Sequence, residues 1–214
     1  MKLLKNVNIL GQYCEIMISD ETVALREALD SHKATVAILG KENIDISLSK
    51  YAVMDIEDID EEFIEKVAYR KLKIPINIGK VDELNIREIK SDDFDKLSEF
   101  VDCPFETKKD LEEYISIQYD FYGYGLYVFE NKKGLIGLAG FYNKDSNCYI
   151  SYMIDEKYQK RGYSFKVCKY LLKFLHEKIG IEDVYAEIDC SNTASINLAE
   201  KLGVNILNKG FYEA

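Results

Sequence analysis

Apolar and polar positions follow two periods along this chain, and the periods exchange places several times. Over residues 148–154, Cys-Tyr-Ile-Ser-Tyr-Met-Ile, aromatic and β-branched residues predict a strand. Beyond a polar turn, Val167, Cys168, Leu171, Leu172 and Leu175 recur at three- and four-residue spacings. That spacing predicts an amphipathic helix over 164–178. Strand period returns over 183–190 and helix period over 195–202. Upstream, residues 84–89 alternate as a strand. Asp92 or Asp93 caps a helix through Val101, Pro104 interrupts, and a second helix runs from Lys108 to about Tyr119. Strands over 126–130 and 134–142 flank Asn131-Lys132-Lys133, a hairpin turn, and Gly137 and Gly140 mark bulges in the second.

The first eighty residues carry a different alternation. Residues 14–19 read as a strand, and Asp20-Glu21-Thr22 caps a helix through Ser31. Lys33 stands where a glycine would normally end that helix. Residues 34–39, Ala-Thr-Val-Ala-Ile-Leu, form a continuous apolar run of the buried parallel kind. A third strand is predicted over 51–56, and a helix over 60–73 with Phe63, Ile64, Val67 and Ala68 on one face. This order predicts a small βαβαβ-like unit over 1–80. Residues 72–83, with Pro75 and Gly79, read as a linker to a second domain over 84–214.

The 214 residues carry a net charge of −10. There are 11 basic against 14 acidic residues through Lys80, and 17 against 24 after it. Neither half offers the basic face that a nucleic-acid partner needs. The five cysteines show no Cys-x-x-Cys spacing, and no signal peptide or long apolar run is present. A reduced cytoplasmic protein is expected, with no membrane association and no metal site. His32 and His176 sit near helix ends, where a surface histidine interacts with the C-terminal dipole.

Chemistry concentrates at the turn before the 164–178 helix. Gln159-Lys160-Arg161-Gly162-Tyr163-Ser164 places a glycine and two mobile basic side chains at a helix N-terminus. First-turn N–H groups have no intrahelical partners, and the dipole favours negative charge there. The same combination opens many solvated helices, so the loop gains meaning from a second segment about thirty residues on. After the strand at 183–190 comes Ser191-Asn192-Thr193-Ala194-Ser195, and then Lys201-Leu202-Gly203-Val204.

Together these segments resemble the GNAT superfamily of acetyl-CoA-dependent N-acetyltransferases. The Q/R-x-x-G-x-G/A signature is matched by Gln159, Arg161 and Gly162, and less well by Ser164. The later N-x-x-S/A…K-L-G-F element is matched by Asn192, Ser195, Lys201, Leu202 and Gly203, with Val204 in place of phenylalanine. The resemblance covers residues 84–214 and implies a mixed central sheet flanked by helices. Many members carry a long final hairpin, for which Asn205 to Ala214 are too short, so the last strands are expected to be truncated or borrowed from a partner copy in a homodimer. It implies that Lys160, Arg161, Gly162, Tyr163, Ser164 and Phe165 hold the pyrophosphate of acetyl-CoA. Tyr152, Met153 and Ile154 would contact pantetheine and acetyl group through the backbone, and Asn192 would reach the pantetheine. A backbone N–H near Met153 would polarise the thioester carbonyl.

The chain departs from common members at the catalytic acid and base. Ala199 stands where many place a tyrosine acid, and Cys148 where others place a glutamate base. Tyr152 and Tyr212 remain as phenols able to protonate a thiolate, or as core and strand residues. Tyr127 and Phe129 share a strand face and read as core. Tyr119 to Tyr124 read as a loop whose aromatics receive a substrate or simply pack. Asp110, Glu112, Glu113 and Asp120 either attract a cationic amine or form a solvated helix face. The implied activity is acetyl transfer to the primary amine of a small molecule or peptide N-terminus. The alternative is a non-catalytic acyl-CoA-binding or regulatory module.

The N-terminal part is similar to the C-terminal half of haloacid-dehalogenase-type phosphatases, with Asp20 after Ser19 as its only functional match. The family's D-x-D-x-T/V nucleophile motif is absent, and without a carboxylate nucleophile the phosphoryl group has no acceptor. Asp20 then reads as a helix cap rather than a magnesium ligand, and the domain as a structural or partner-binding remnant.

Overall fold

The computed structural model describes residues 1–40 and 44–209. The chain divides into two compact units, Met1–Ile76 and Asn77–Ala214. Each builds its own sheet.

In the first unit, β1 (Lys2–Ile9) and β2 (Gln12–Ser19) form an antiparallel hairpin. Its two-residue turn, Leu10-Gly11, has positive φ at both positions, as a right-twisted ribbon requires. α1 (Thr22–Asp30) leads to β3 (Ala34–Ile38), and β4 (Tyr51–Val53) precedes α2 (Glu61–Leu72). The sheet order is β1-β2-β3-β4, with β2, β3 and β4 parallel. All five residues of β3 are buried, as their unbroken apolar run predicts. Val67 and Ala68 of α2 close a core with Cys14, Ile16, Ile18, Val36 and Ile38.

Three readings of this unit are corrected. The strand over Lys2–Ile9 went unread because Lys5 interrupts Leu3, Val7 and Ile9 on its inner face and the exposed Leu4 breaks the alternation. The third strand stops at Val53, and residues 56–58 form a 3₁₀ turn. Asp20 is not the helix cap. Glu21 holds that position without a side-chain hydrogen bond, and the Asp20 carboxylate meets the Met1 ammonium instead. His32 takes the left-handed conformation that a glycine would otherwise supply after α1.

In the second unit, β5 (Asn77–Val81) and β6 (Leu84–Glu88) pair antiparallel, so the expected linker is in part a strand. The 3₁₀ turn at 91–93 and α3 (Phe94–Leu97) replace the longer helix expected through Val101. The carboxylate of Asp93 is taken by Arg87, at 2.7 and 2.8 Å, and by the Lys90 N–H. α4 (Lys108–Phe121), β7 (Leu126–Asn131), β8 (Gly134–Lys144) and β9 (Asn147–Ile154) follow. Then come α5 (Tyr163–Phe174), β10 (Val184–Asp189), α6 (Thr193–Leu202) and β11 (Asn205–Lys209).

The seven-stranded sheet has the order β11-β10-β9-β8-β7-β6-β5. It is antiparallel from β5 to β9 and parallel from β9 to β11. One face packs Phe129, Phe141 and Ile150 against Val167, Cys168 and Leu171 of α5. The other packs Ile89, Val128 and Leu138 against Leu97 and Leu111 of α3 and α4. The bulge in β8 leaves Ile136 as the extra residue opposite the Phe129–Glu130 step, beside Gly137 and not at Gly140. Among the described residues no helix is long and apolar enough to cross a membrane.

Candidate acetyl-CoA cleft

β9 and β10 start side by side and then part. They pair only at Cys148↔Val184 and Tyr149↔Tyr185, yet β9 continues to Ile154 and β10 to Asp189. β10 is held along its other edge by β11, from Tyr185 to Asp189. The gap leaves one edge of β9 facing open space. The ladder on its other edge decides which groups point there. The Asp155 N–H donates to Ile136 O at 2.9 Å across the β8 partner strand. Since inward and outward positions alternate along an antiparallel ladder, Met153 and Ser151 also direct their backbone toward β8. Tyr152 and Ile154 direct theirs into the gap. Of the N–H groups near Met153, its own therefore faces β8, and those that face the gap are those of Tyr152 and Ile154.

The side chains divide in the same way. Tyr152 and Ile154 pack with the α5–α6 core, whereas Met153 packs with the α3–α4 core. The Tyr152 hydroxyl lies 3.4 Å from the Ser195 carbonyl, to which it donates, and burial pushes its pKa up. It is protonated at neutral pH and can serve as a donor.

The gap opens onto a cleft of about 1110 Å³ lined by residues 152–165, by residues 99–102, and by Asn192, Ser195 and Leu198 of the α6 end. α5 begins at its floor. Gly162, its N-cap, has φ 76° and ψ 6°, and no side chain caps the helix. A Cβ built on Gly162 meets nothing within 4 Å, so the N–H groups of the first turn face open space. α6 contrasts with it. There the side-chain Oδ1 of Asn192 accepts from Ser195 N–H at 3.1 Å and closes the helix end. Its amide nitrogen keeps hydrogen-bonding capacity beside the cleft. The site thus fits an anion at α5 and a neutral, extended hydrogen-bonding chain along β9.

Charge around the cleft is mixed. Arg161 donates to Lys157 O at 3.1 Å and stands 5.5 Å over the Tyr158 ring, so it is held rather than mobile. Lys160 adopts a left-handed φ of 61°, and Gln159 donates to Ile154 O at 3.4 Å. The hydrogen bond from Lys157 lowers the pKa of Asp155, and Lys96 adds to the effect from 3.7 Å. Glu99, Asp102 and Glu156 complete the acidic lining.

Several expected residues lie elsewhere. Asp110, Glu112, Glu113 and Asp120 do not line this cleft. Asp110 joins Thr107 in a capping box, Glu112 accepts from Ser91, and Glu113 pairs with Lys109. Tyr119 is in α4, not a loop, and is buried; its hydroxyl accepts from Ile89 N–H and donates to Leu126 O. Phe121 and Tyr122 are exposed, and Tyr127 and Phe129 are core as read. Cys148 is buried with its thiol pKa raised by burial, and Ala199 is buried too. Tyr212 lies outside the described residues. Sequence reading missed Glu99 and Asp102, which no motif marks because they follow a helix too short to show a period.

A family model described as "Acetyltransferase (GNAT) domain" matches residues 83–205. Among solved structures, a GnaT-family acetyltransferase from Bordetella pertussis aligns at 22% identity and a TM-score of 0.50. It covers 57% of this chain and 85% of that one. An acetyltransferase from Agrobacterium tumefaciens aligns at 17% identity and 0.50, over 60% and 82%. A spermidine N-acetyltransferase from Vibrio cholerae, solved with CoA and spermine, aligns at 18% and 0.47, over 57% and 81%. At these identities the first two structures speak for the fold alone, while the family match spans more than half of the chain. The chain belongs to the GNAT acetyltransferases, acyltransferases whose cosubstrate is acetyl-CoA.

Proposed function

We propose that this protein transfers the acetyl group of acetyl-CoA to the primary amine of a small cationic molecule or peptide N-terminus. The observation that carries the reading is that one cleft joins the free edge of β9 to the uncapped start of α5. The pyrophosphate rests on the N–H groups of Tyr163, Ser164 and Phe165, with Lys160 and Arg161 beside it. The pantetheine lies along β9 as an added strand, and Asn192 faces it across the gap. Tyr152 N–H or Ile154 N–H donates to the thioester oxygen, where negative charge develops.

The amine nitrogen attacks the carbonyl carbon, and the C–S bond breaks as the tetrahedral intermediate collapses. The attacking nitrogen loses a proton to water, and the departing thiolate gains one from water or from the Tyr152 hydroxyl. Positioning of the two reactants supplies most of the acceleration, so no strong base is required. A cationic acceptor is favoured because, with Lys160 and Arg161 on the pyrophosphate, Glu99, Asp102, Asp155 and Glu156 outnumber Lys96, Lys157 and Lys201 at the cleft. There Lys96 pairs with Glu99 and Lys157 with Asp155.

The second reading, acyl-CoA binding without turnover, draws on the buried Cys148 and Ala199 at the usual acid and base positions. Thiol release from acetyl-CoA across a panel of polyamines, amino acids, aminoglycosides and N-terminal peptides decides between them. Amine-dependent release is expected. Tight acetyl-CoA binding with no release for any amine would establish the second reading.

The first unit is proposed as a structural or partner-binding domain without phosphatase activity. Asp20, the residue shared with phosphatases, is engaged by the Met1 amino group.

A further inference from the structure

The first unit holds a second cavity, of about 370 Å³, between the C-terminal end of α2, the end of α1, and the starts of β3 and β4. Its size falls within the roughly 300–1,000 Å³ range of small-molecule sites. The walls are apolar, from Leu29, Ala34, Leu48 and Val67, with the Tyr51 ring. The polar groups beneath are satisfied internally. Thr35 Oγ1 donates to Leu48 O at 2.7 Å, and Ser49 Oγ lies 2.6 Å from Thr35 O.

The charge around this cavity is one-sided. Lys33, Lys50, Arg70, Lys71 and Lys73 line it, and no carboxylate does among the described residues. The stretch 1–76 contains 10 basic and 14 acidic residues, so half of its cations and none of its described acids meet at one concavity. The C-terminal dipole of α2 accounts for Arg70 and Lys71 in the last turn and Lys73 at the cap. It does not account for Lys33, before β3, or Lys50, before β4, which approach from other elements. Lys33 is partly neutralised by Glu15, 3.1 Å away. Lys50 and Arg70 have interactions of their own, so the charge offered to a ligand falls chiefly to Lys71 and Lys73 at the end of α2.

We infer that this cavity is a binding site for an anion with an apolar body, its head held by the lysines and its body by the Leu48–Val67 walls. A medium-chain carboxylate and a medium-chain phosphate monoester share that chemistry. The site stands apart from acetyl-CoA binding and does not depend on it.

Calorimetric titration of the full chain tests this, with CoA present at saturation to occupy the acetyl-CoA cleft. Octanoate, octyl phosphate, octylamine and acetate are the probes. Octanoate or octyl phosphate should bind at one saturable site, and their ranking identifies the head group. Octylamine, with the same body and opposite charge, and acetate, with the head alone, should not bind there. Lys71→Gln combined with Lys73→Asn should weaken the anion at least about tenfold while leaving CoA affinity unchanged. Asparagine keeps the left-handed cap at position 73 accessible, and circular dichroism verifies the fold. Equal binding of octylamine, no loss in the double variant, or no saturable binding of either anion would overturn the inference.

Discussion

Tyr152 and Met153 are neighbours in sequence, yet the ladder of β9 sends their backbone groups to opposite edges and their side chains to opposite faces. Hydrogen-bonding direction along a strand is set by pairing register, which residue types do not encode. The motif could mark the segment but not the donor. Arg161 shows the converse, a basic residue whose role depends on a neighbouring ring. Held on Tyr158 and on Lys157 O, it would meet a phosphate docked as proposed with little freedom left to lose. Arg161→Ala should reduce acetyl-CoA affinity by about 1–3 kcal/mol in calorimetry. An unchanged dissociation constant would remove Arg161 from the phosphate site.

The start of α5 is braced by the β5–β6 hairpin. The Tyr163 hydroxyl donates to Glu83 at 2.6 Å, Lys166 pairs with Asp82 at 2.5 Å, and the Tyr170 hydroxyl donates to Ile78 O at 2.8 Å. Ile78 is the bulged residue of β5, which frees its carbonyl for that contact. A Cβ at Gly79 would come within 2.0 Å of the Tyr170 oxygen. Gly79→Ala should therefore displace Tyr170 and destabilise the protein by about 1–3 kcal/mol, read as a lower urea midpoint. An unaltered midpoint would show that the hairpin does not brace the helix. Neither this brace nor the parting of β9 and β10 was legible in sequence, because both depend on pairing between distant strands. The elements themselves were largely legible. The period change from strand to helix across 148–178 is strong, and the apolar run of β3 is unbroken. β5 was hidden by its proline- and glycine-bearing context, and Tyr119 was misread because aromatics close to a glycine resemble a loop.

Across the whole molecule the charge of −10 is unevenly used. The candidate acetyl-CoA cleft mixes both signs, and under the proposed docking the acids left after phosphate binding would favour a cationic acceptor. Screening acts over about 10 Å at 0.1 M salt, so the Michaelis constant for the best amine should rise with ionic strength. A constant value, or an anionic best substrate, would contradict the assignment of acceptor charge. The first unit should show no magnesium-dependent phosphatase activity. Hydrolysis of phosphate esters that Asp20→Asn abolishes would refute its reading as a remnant.

The central claim is that acetyl-CoA docks with its pyrophosphate on the N-terminus of α5, and calorimetry of acetyl-CoA binding to Gly162→Val addresses it directly. Valine puts a branched side chain into the open space before Tyr163 and disfavours the left-handed cap. Gly162→Ala, measured alongside, separates the strain of that conformation from the bulk of the side chain. With circular dichroism unchanged, the account predicts affinity lowered at least about tenfold in the valine variant and less in the alanine variant. A folded Gly162→Val protein that binds acetyl-CoA as tightly as the native chain would contradict it.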